Sequence, residues 1–220
     1  MQPRDPPRHP PALTPGYRSS LLRAPAQPLV KAEPEAPARP AFAPLGVLDH
    51  DLLRNAAQPG GSPIGERLLV HGFVRDTGGR PLSGVLIELW QANAGGRYRH
   101  PRDGYAAAPL DPNFGGAGRA LTDRDGRYHF LTVKPGPYPF RNGPDAAWRP
   151  AHLHFSLIGP HWGQRLVTQM YFEGDPLIAS CPIVATVPTE AGRRALIALQ
   201  DIGAFAADDH RAYRFDLVLR

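Results

Sequence analysis

From residue 66 onward, apolar runs of five to seven residues alternate with turns rich in glycine, proline and aspartate, a rhythm that suits short strands and leaves little room for long helices. Leu68-Leu69-Val70-His71-Gly72-Phe73-Val74 is followed by the turn Thr77-Gly78-Gly79-Arg80-Pro81 and then by Val85-Leu86-Ile87-Glu88-Leu89-Trp90. Ala120-Leu121-Thr122 leads through Asp123-Arg124-Asp125-Gly126 into Arg127-Tyr128-His129-Phe130, and further strands are expected at 152–158, 165–172 and 211–219. Helical spacing is clear only over Thr189–Ile202, which opens behind Pro188 with Thr189 as N-cap and is expected to bury Leu196, Ile197 and Leu199; a brief helix around Asp49–Asn55 also fits. The expected fold is mainly β, an antiparallel β-sandwich core with an extended N-terminal arm and one or two short helices.

The arm is set apart by composition. Residues 1–44 hold twelve of the 27 prolines and show neither helical nor strand periodicity. Leu13, Tyr17, Leu21, Leu22 and Leu29 are too apolar for a wholly solvated tail, so residues 1–60 are expected to form an arm partly ordered on a partner chain, and residues 61–220 the sandwich. The formal charge of +5 includes +3 from residues 1–40, where six Lys/Arg stand against three Asp/Glu. No basic cluster interleaves with aromatics, which argues against nucleic acid, whereas a mild positive field suits a small anionic substrate. The single cysteine, Cys181, excludes an intrachain disulfide or thiolate cluster. Nothing resembles a signal peptide or a membrane span, so no membrane is expected and the cytoplasm is the expected address.

His152 and His154 lie two apart in an expected strand and therefore face one side, with Cα atoms roughly 6–7 Å apart, a gap that two nitrogen ligands of one metal can close. The spacing alone equally describes two polar residues on a solvated face. Asp103-Gly104-Tyr105 and Pro137-Tyr138-Pro139 each place a tyrosine in irregular chain, where a side chain can be aimed at a site. Two phenolates with two imidazoles suit a hard trivalent ion, ferric iron above all; zinc, with Glu173 or Asp175, is the lesser alternative. Arg149, three residues before His152, can stabilise negative charge on a substrate. Tyr17 reads as a hydrophobic anchor or a substrate contact, and Gln169 is similarly ambiguous. Asp123-Arg124-Asp125-Gly126 lacks the remaining ligands of a calcium loop and reads as a turn.

Several longer stretches carry a resemblance: Ala12-Leu13-Thr14-Pro15-Gly16-Tyr17, Leu89-Trp90-Gln91-Ala92-Asn93-Ala94-Gly95-Gly96-Arg97-Tyr98, Leu110-Asp111-Pro112-Asn113-Phe114-Gly115-Gly116, Lys134-Pro135-Gly136-Pro137-Tyr138-Pro139 and Trp148-Arg149-Pro150-Ala151-His152-Leu153-His154-Phe155. Together they resemble the intradiol ring-cleavage dioxygenases, within them the iron-bearing chains of the protocatechuate-cleaving kind. The resemblance implies non-haem ferric iron held by Tyr105, Tyr138, His152 and His154, with Tyr138 the ligand displaced by a catecholate and Arg149 stabilising the carbanion-like substrate. It also implies cleavage between the two hydroxylated carbons by O2, a pocket including Tyr17, Gln169 and Ile183, and a homologous alpha chain completing it. One departure stands out, since the aromatic two residues after Tyr138 is usually tryptophan in such chains and is Phe140 here; the preferred ring substituent, carboxylate, sulfonate or none, follows less directly. A transthyretin-like binding module is the competing reading, but such a module has no need of the four donors.

Overall fold

The computed structural model describes residues 42–101, 103–140, 147–160, 164–204 and 210–220. Eleven strands are present among them: β1 (Arg67–Arg75), β2 (Leu86–Trp90), β3 (Ala117–Leu121), β4 (Arg127–Val133), β5 (Tyr138–Pro139), β6 (Trp148–Arg149), β7 (His152–Ile158), β8 (Arg165–Phe172), β9 (Ile197–Gln200), β10 (Arg211–Arg214) and β11 (Leu217–Val218). A 3-10 turn at Pro176–Ser180 and the short helices α1 (Pro182–Ala185) and α2 (Glu190–Arg194) lie between β8 and β9. One layer runs β4-β1-β10, with β11 continuing along the same edge of β1, and the other runs β3-β2-β7-β8. The narrow β9 joins the layers, antiparallel to β10 and parallel to β8.

The alternating pattern builds the core. Val70, Phe130, Leu153, Phe155, Leu157 and Met170 are fully buried between the layers, and the rings of Phe130 and Phe155 meet edge to face with centroids 6.3 Å apart. Leu52 also enters this core, fastened by Leu52 N donating to Leu131 O at 2.8 Å, so residues just before the sandwich pack on its own sheet. No helix among the described residues is long and apolar enough to cross a membrane.

The mainly β sandwich stands as expected, its main pairs antiparallel, and parallel pairs of β1 with β10 and β11 and of β8 with β9 make the sheet mixed. Two helical expectations are corrected. Residues 49–55 form turns instead of a helix, with Asp51 Oδ1 accepting from Leu53 N at 3.1 Å. The Thr189–Ile202 helix stops at Arg194: Thr189 does cap it, accepting from Gly192 N at 3.1 Å, but Ile197–Gln200 then extends into β9. Burial there follows period two, with Leu196 and Ala198 buried while Leu199 is 60% and Ile202 77% exposed, because two sheet edges compete successfully with helix propensity for these backbone groups.

The strand assignment of β9 has a direct test in denaturant unfolding. Ala198→Asp should cost at least about 3 kcal/mol by burying an unpaired charge, whereas Leu199→Asp should stay within about 0.5 kcal/mol; a helix over 189–202 would make Leu199 the damaging position.

Candidate metal centre

The site is built on the outward face of β7. Leu153, Phe155 and Leu157 point into the core, which turns His152 and His154 to the opposite side. Register then sets Trp90 on β2 and Gln169 on β8 on either side of His154, and Tyr171 beside His152. The Trp90 and His154 rings are stacked with centroids 4.9 Å apart and planes 4° apart.

Two loops bring phenols over this face, and one buried amide shapes both. Asn93, just past β2, accepts at Oδ1 from the N–H groups of Gly95 and Arg97 at 2.9 and 3.0 Å, and its Nδ2 donates to Pro109 O at 3.0 Å. Its carbonyl accepts from Gly96 N and from Gly136 N, both at 2.9 Å, tying the loop that ends in Tyr98 to the one that leads into Tyr138. The loops touch so closely that a Cβ at Gly96, where φ is +82°, would fall on the Pro137 carbonyl, and one at Gly136 on the Ala94 carbonyl.

The result is a convergence of two oxygens and two nitrogens. The Tyr138 hydroxyl lies 3.1 Å from His152 Nε2 and the Tyr98 hydroxyl 3.0 Å from His154 Nε2. The two imidazole centroids are 4.8 Å apart and the two phenol rings meet edge to face at 5.5 Å. His152 Nδ1 donates to Pro150 O at 2.7 Å, which leaves the Nε2 lone pair facing Tyr138. Burial, then the nearby Arg149 charge and His154, hold the His152 pKa well below the usual imidazole value, so the ring is neutral.

Tyr105 lies on the loop beyond Tyr98. Its ring packs edge to face at 6.4 Å on Trp148, the register partner of Pro139 next to Tyr138, and its N–H is held by Asp103 Oδ1 at 2.8 Å. Tyr98, which the sequence alone did not single out, closes the loop leaving β2, whose last residue, Trp90, is register partner to His154. Glu173 and Asp175 are engaged elsewhere, Glu173 accepting from Gln200 N and Asp175 from Ala151 N and Leu177 N. No group of three or more His, Cys, Asp or Glu among the described residues is arranged to hold a metal.

Arg149 is fully buried and is the register partner of Tyr138 across the β5–β6 pair. Its Nη2 donates to Gln169 Oε1 at 2.5 Å and to the Tyr171 hydroxyl at 3.1 Å, and that hydroxyl in turn donates to Gln169 Oε1 at 2.6 Å. Burial raises the Tyr171 pKa, so this phenol stays neutral beside the guanidinium. Phe140, whose ring lies 5.8 Å from the Arg149 guanidinium carbon, packs with Ile183, Tyr171 and Cys181 in a second apolar cluster. Tyr17 lies outside the described residues.

Residues 38–220 match the family model described as Dioxygenase, and residues 2–35 match the model of the protocatechuate 3,4-dioxygenase beta subunit N terminus. The chain belongs to the intradiol ring-cleaving dioxygenases, enzymes that use non-haem iron. It is 50% identical to the protocatechuate 3,4-dioxygenase beta chain of Burkholderia cepacia, over 100% of this chain and 94% of the relative. The crystal structure of 3-chlorocatechol 1,2-dioxygenase from Rhodococcus opacus 1CP superposes with a TM-score of 0.58 at 30% identity, covering 82% of this chain and 69% of that one. Hydroxyquinol 1,2-dioxygenase from Pseudomonas putida DLL-E4 shares the fold, with a TM-score of 0.56 at 24% identity over 92% of this chain and 70% of that one. These similarities do not favour a non-catalytic transthyretin-like module.

Removing the Asn93 side chain should leave several buried backbone groups without partners. Asn93→Ala is expected to lower stability by about 2–3 kcal/mol in denaturant unfolding, while Tyr105→Phe, which deletes only a half-buried hydroxyl, stays within about 0.5 kcal/mol.

Proposed function

We propose that this chain is the iron-bearing subunit of a protocatechuate 3,4-dioxygenase, with ferric iron held by Tyr105, Tyr138, His152 and His154. The observation that carries the metal assignment is the histidine pair facing one side with the Tyr138 hydroxyl at His152 Nε2, beside the strand pair against which Tyr105 packs. Two anionic phenolates and two neutral imidazoles fit a hard trivalent cation, and a bound cation favours the phenolate form at neutral pH. When bound, ferric iron supplies the Lewis acidity that makes a catecholate ring reactive toward dioxygen.

The chain's own residues do the rest. Tyr138, on a two-residue strand beside Arg149, would be one of the two phenols holding the metal and the one able to take a substrate proton at its Oη. Arg149 offers a fixed cation to negative charge developing on the ring, and Gln169 and Tyr171 keep that cation oriented at no reorganisation cost during reaction. Phe140 and Ile183 supply an apolar wall that excludes water. The full-length likeness to the Burkholderia cepacia beta chain supports protocatechuate as substrate, cleaved between its hydroxylated carbons to 3-carboxy-cis,cis-muconate, and an alpha chain as the partner on which the arm, including Tyr17, is ordered. An enzyme of this kind would work in the cytoplasm.

Iron-loaded protein should carry a visible tyrosinate-to-iron charge-transfer band. Tyr105→Phe is expected to weaken that band and cut turnover by at least roughly a hundredfold, on the scale of losing a group from a preorganised electrostatic site, while Tyr98→Phe leaves the band in place. A band kept with Tyr105→Phe and lost with Tyr98→Phe would overturn the donor set. Oxygen uptake by the chain co-expressed with an alpha subunit should be faster on protocatechuate than on catechol, and a reversed preference would overturn the substrate.

A further inference from the structure

His152 and His154 are oriented in different ways, and the difference gives Trp90 a task. A metal-ligating imidazole directs its lone pair within the ring plane, so whatever fixes the plane fixes the direction of the bond. For His152 that is the hydrogen bond from Nδ1 to Pro150 O, an in-plane restraint from its own strand. For His154 the plane is matched by an indole: the rings lie 4° from parallel with centroids 4.9 Å apart.

This stack is imposed by backbone register. Trp90 and His154 are directly opposite across β2 and β7, where side chains on one face are held about 4.5–5.5 Å apart, the separation of the stacked rings. On its other side β2 pairs Trp90 with Ala117, and that small neighbour leaves the outward face open to a broad ring. The opposite side of the His154 ring meets Tyr98, whose ring is 6.2 Å away and tilted by 58°, with its hydroxyl at Nε2. His154 thus has a flat indole against it and a phenol at its donor atom.

We propose that Trp90 is a positioning residue for the metal centre: by stacking on His154 it fixes the plane of that imidazole and so aims Nε2 at the position the metal would take. The proposal rests on His154 being an iron ligand. A general packing role would ask only for apolar volume, which leucine supplies in part, whereas orienting a ring requires a planar partner that phenylalanine retains.

The test compares iron-loaded wild type with Trp90→Phe and Trp90→Leu, each as the full chain with its alpha partner. Trp90→Leu should release iron to a chelator at least roughly tenfold faster and shift or broaden the visible band, with Trp90→Phe staying within about threefold of wild type. In metal-free protein, nitrogen shifts of His154 should report one tautomer in wild type and Trp90→Phe, and averaging in Trp90→Leu. Wild-type iron release and an unchanged band in Trp90→Leu would overturn the proposal. So would equal loss in both variants that tracks their fall in melting temperature, which would mark a packing role. A wild-type protein that takes up no iron would remove the donor assignment itself, and the metal-free shifts would still decide whether Trp90 orients His154.

Discussion

The Asn93 side chain and carbonyl are the joint on which the proposed metal centre depends. A sandwich face is a regular surface and offers only what its strands project; His152 and His154 come from such a face, but two imidazoles do not make a ferric site. The phenols arrive on loops separated by about forty residues in sequence, and Asn93 satisfies backbone groups in both. Buried amide groups that must be paired make this junction stiff, and glycines at positions 96 and 136 allow the backbones to approach closely enough for it to form.

Electrostatics follow from where the junction places the site. Burial keeps His152 neutral and Tyr171 protonated, so the two groups nearest Arg149 that could have changed charge do not. The guanidinium is fully buried and its Nη2 is held by Gln169 and Tyr171, both uncharged, so its direction is fixed. In the proposed site, neutral nitrogens, anionic oxygens and this oriented cation would have separate tasks.

Legibility in the sequence tracked how local each feature is. The histidine pair, Tyr138 between its prolines, the turn at Asp123–Gly126 and most strand runs depend on period-two spacing or on turn chemistry over a few residues, and they stand where expected. Tyr98 was not legible because a tyrosine in irregular chain looks equally available wherever the chain leads; its place at His154 depends on how the loop after β2 closes on Asn93. The segment 195–200 reads as helix from its neighbours, yet it becomes a strand because β8 and β10 present unpaired edges on both sides of it.

By itself, the sequence determined that this chain is a strand-built sandwich carrying an imidazole pair on one face and a family's worth of motifs in order, because alternation and turn residues act within a few positions of themselves. Tertiary structure alone decided which edges pair in parallel, which tyrosine meets His154, and that Trp90 lies flat against it. Those outcomes depend on register between segments far apart in the chain, and register is set by the simultaneous burial of the whole core, which no short stretch of sequence encodes.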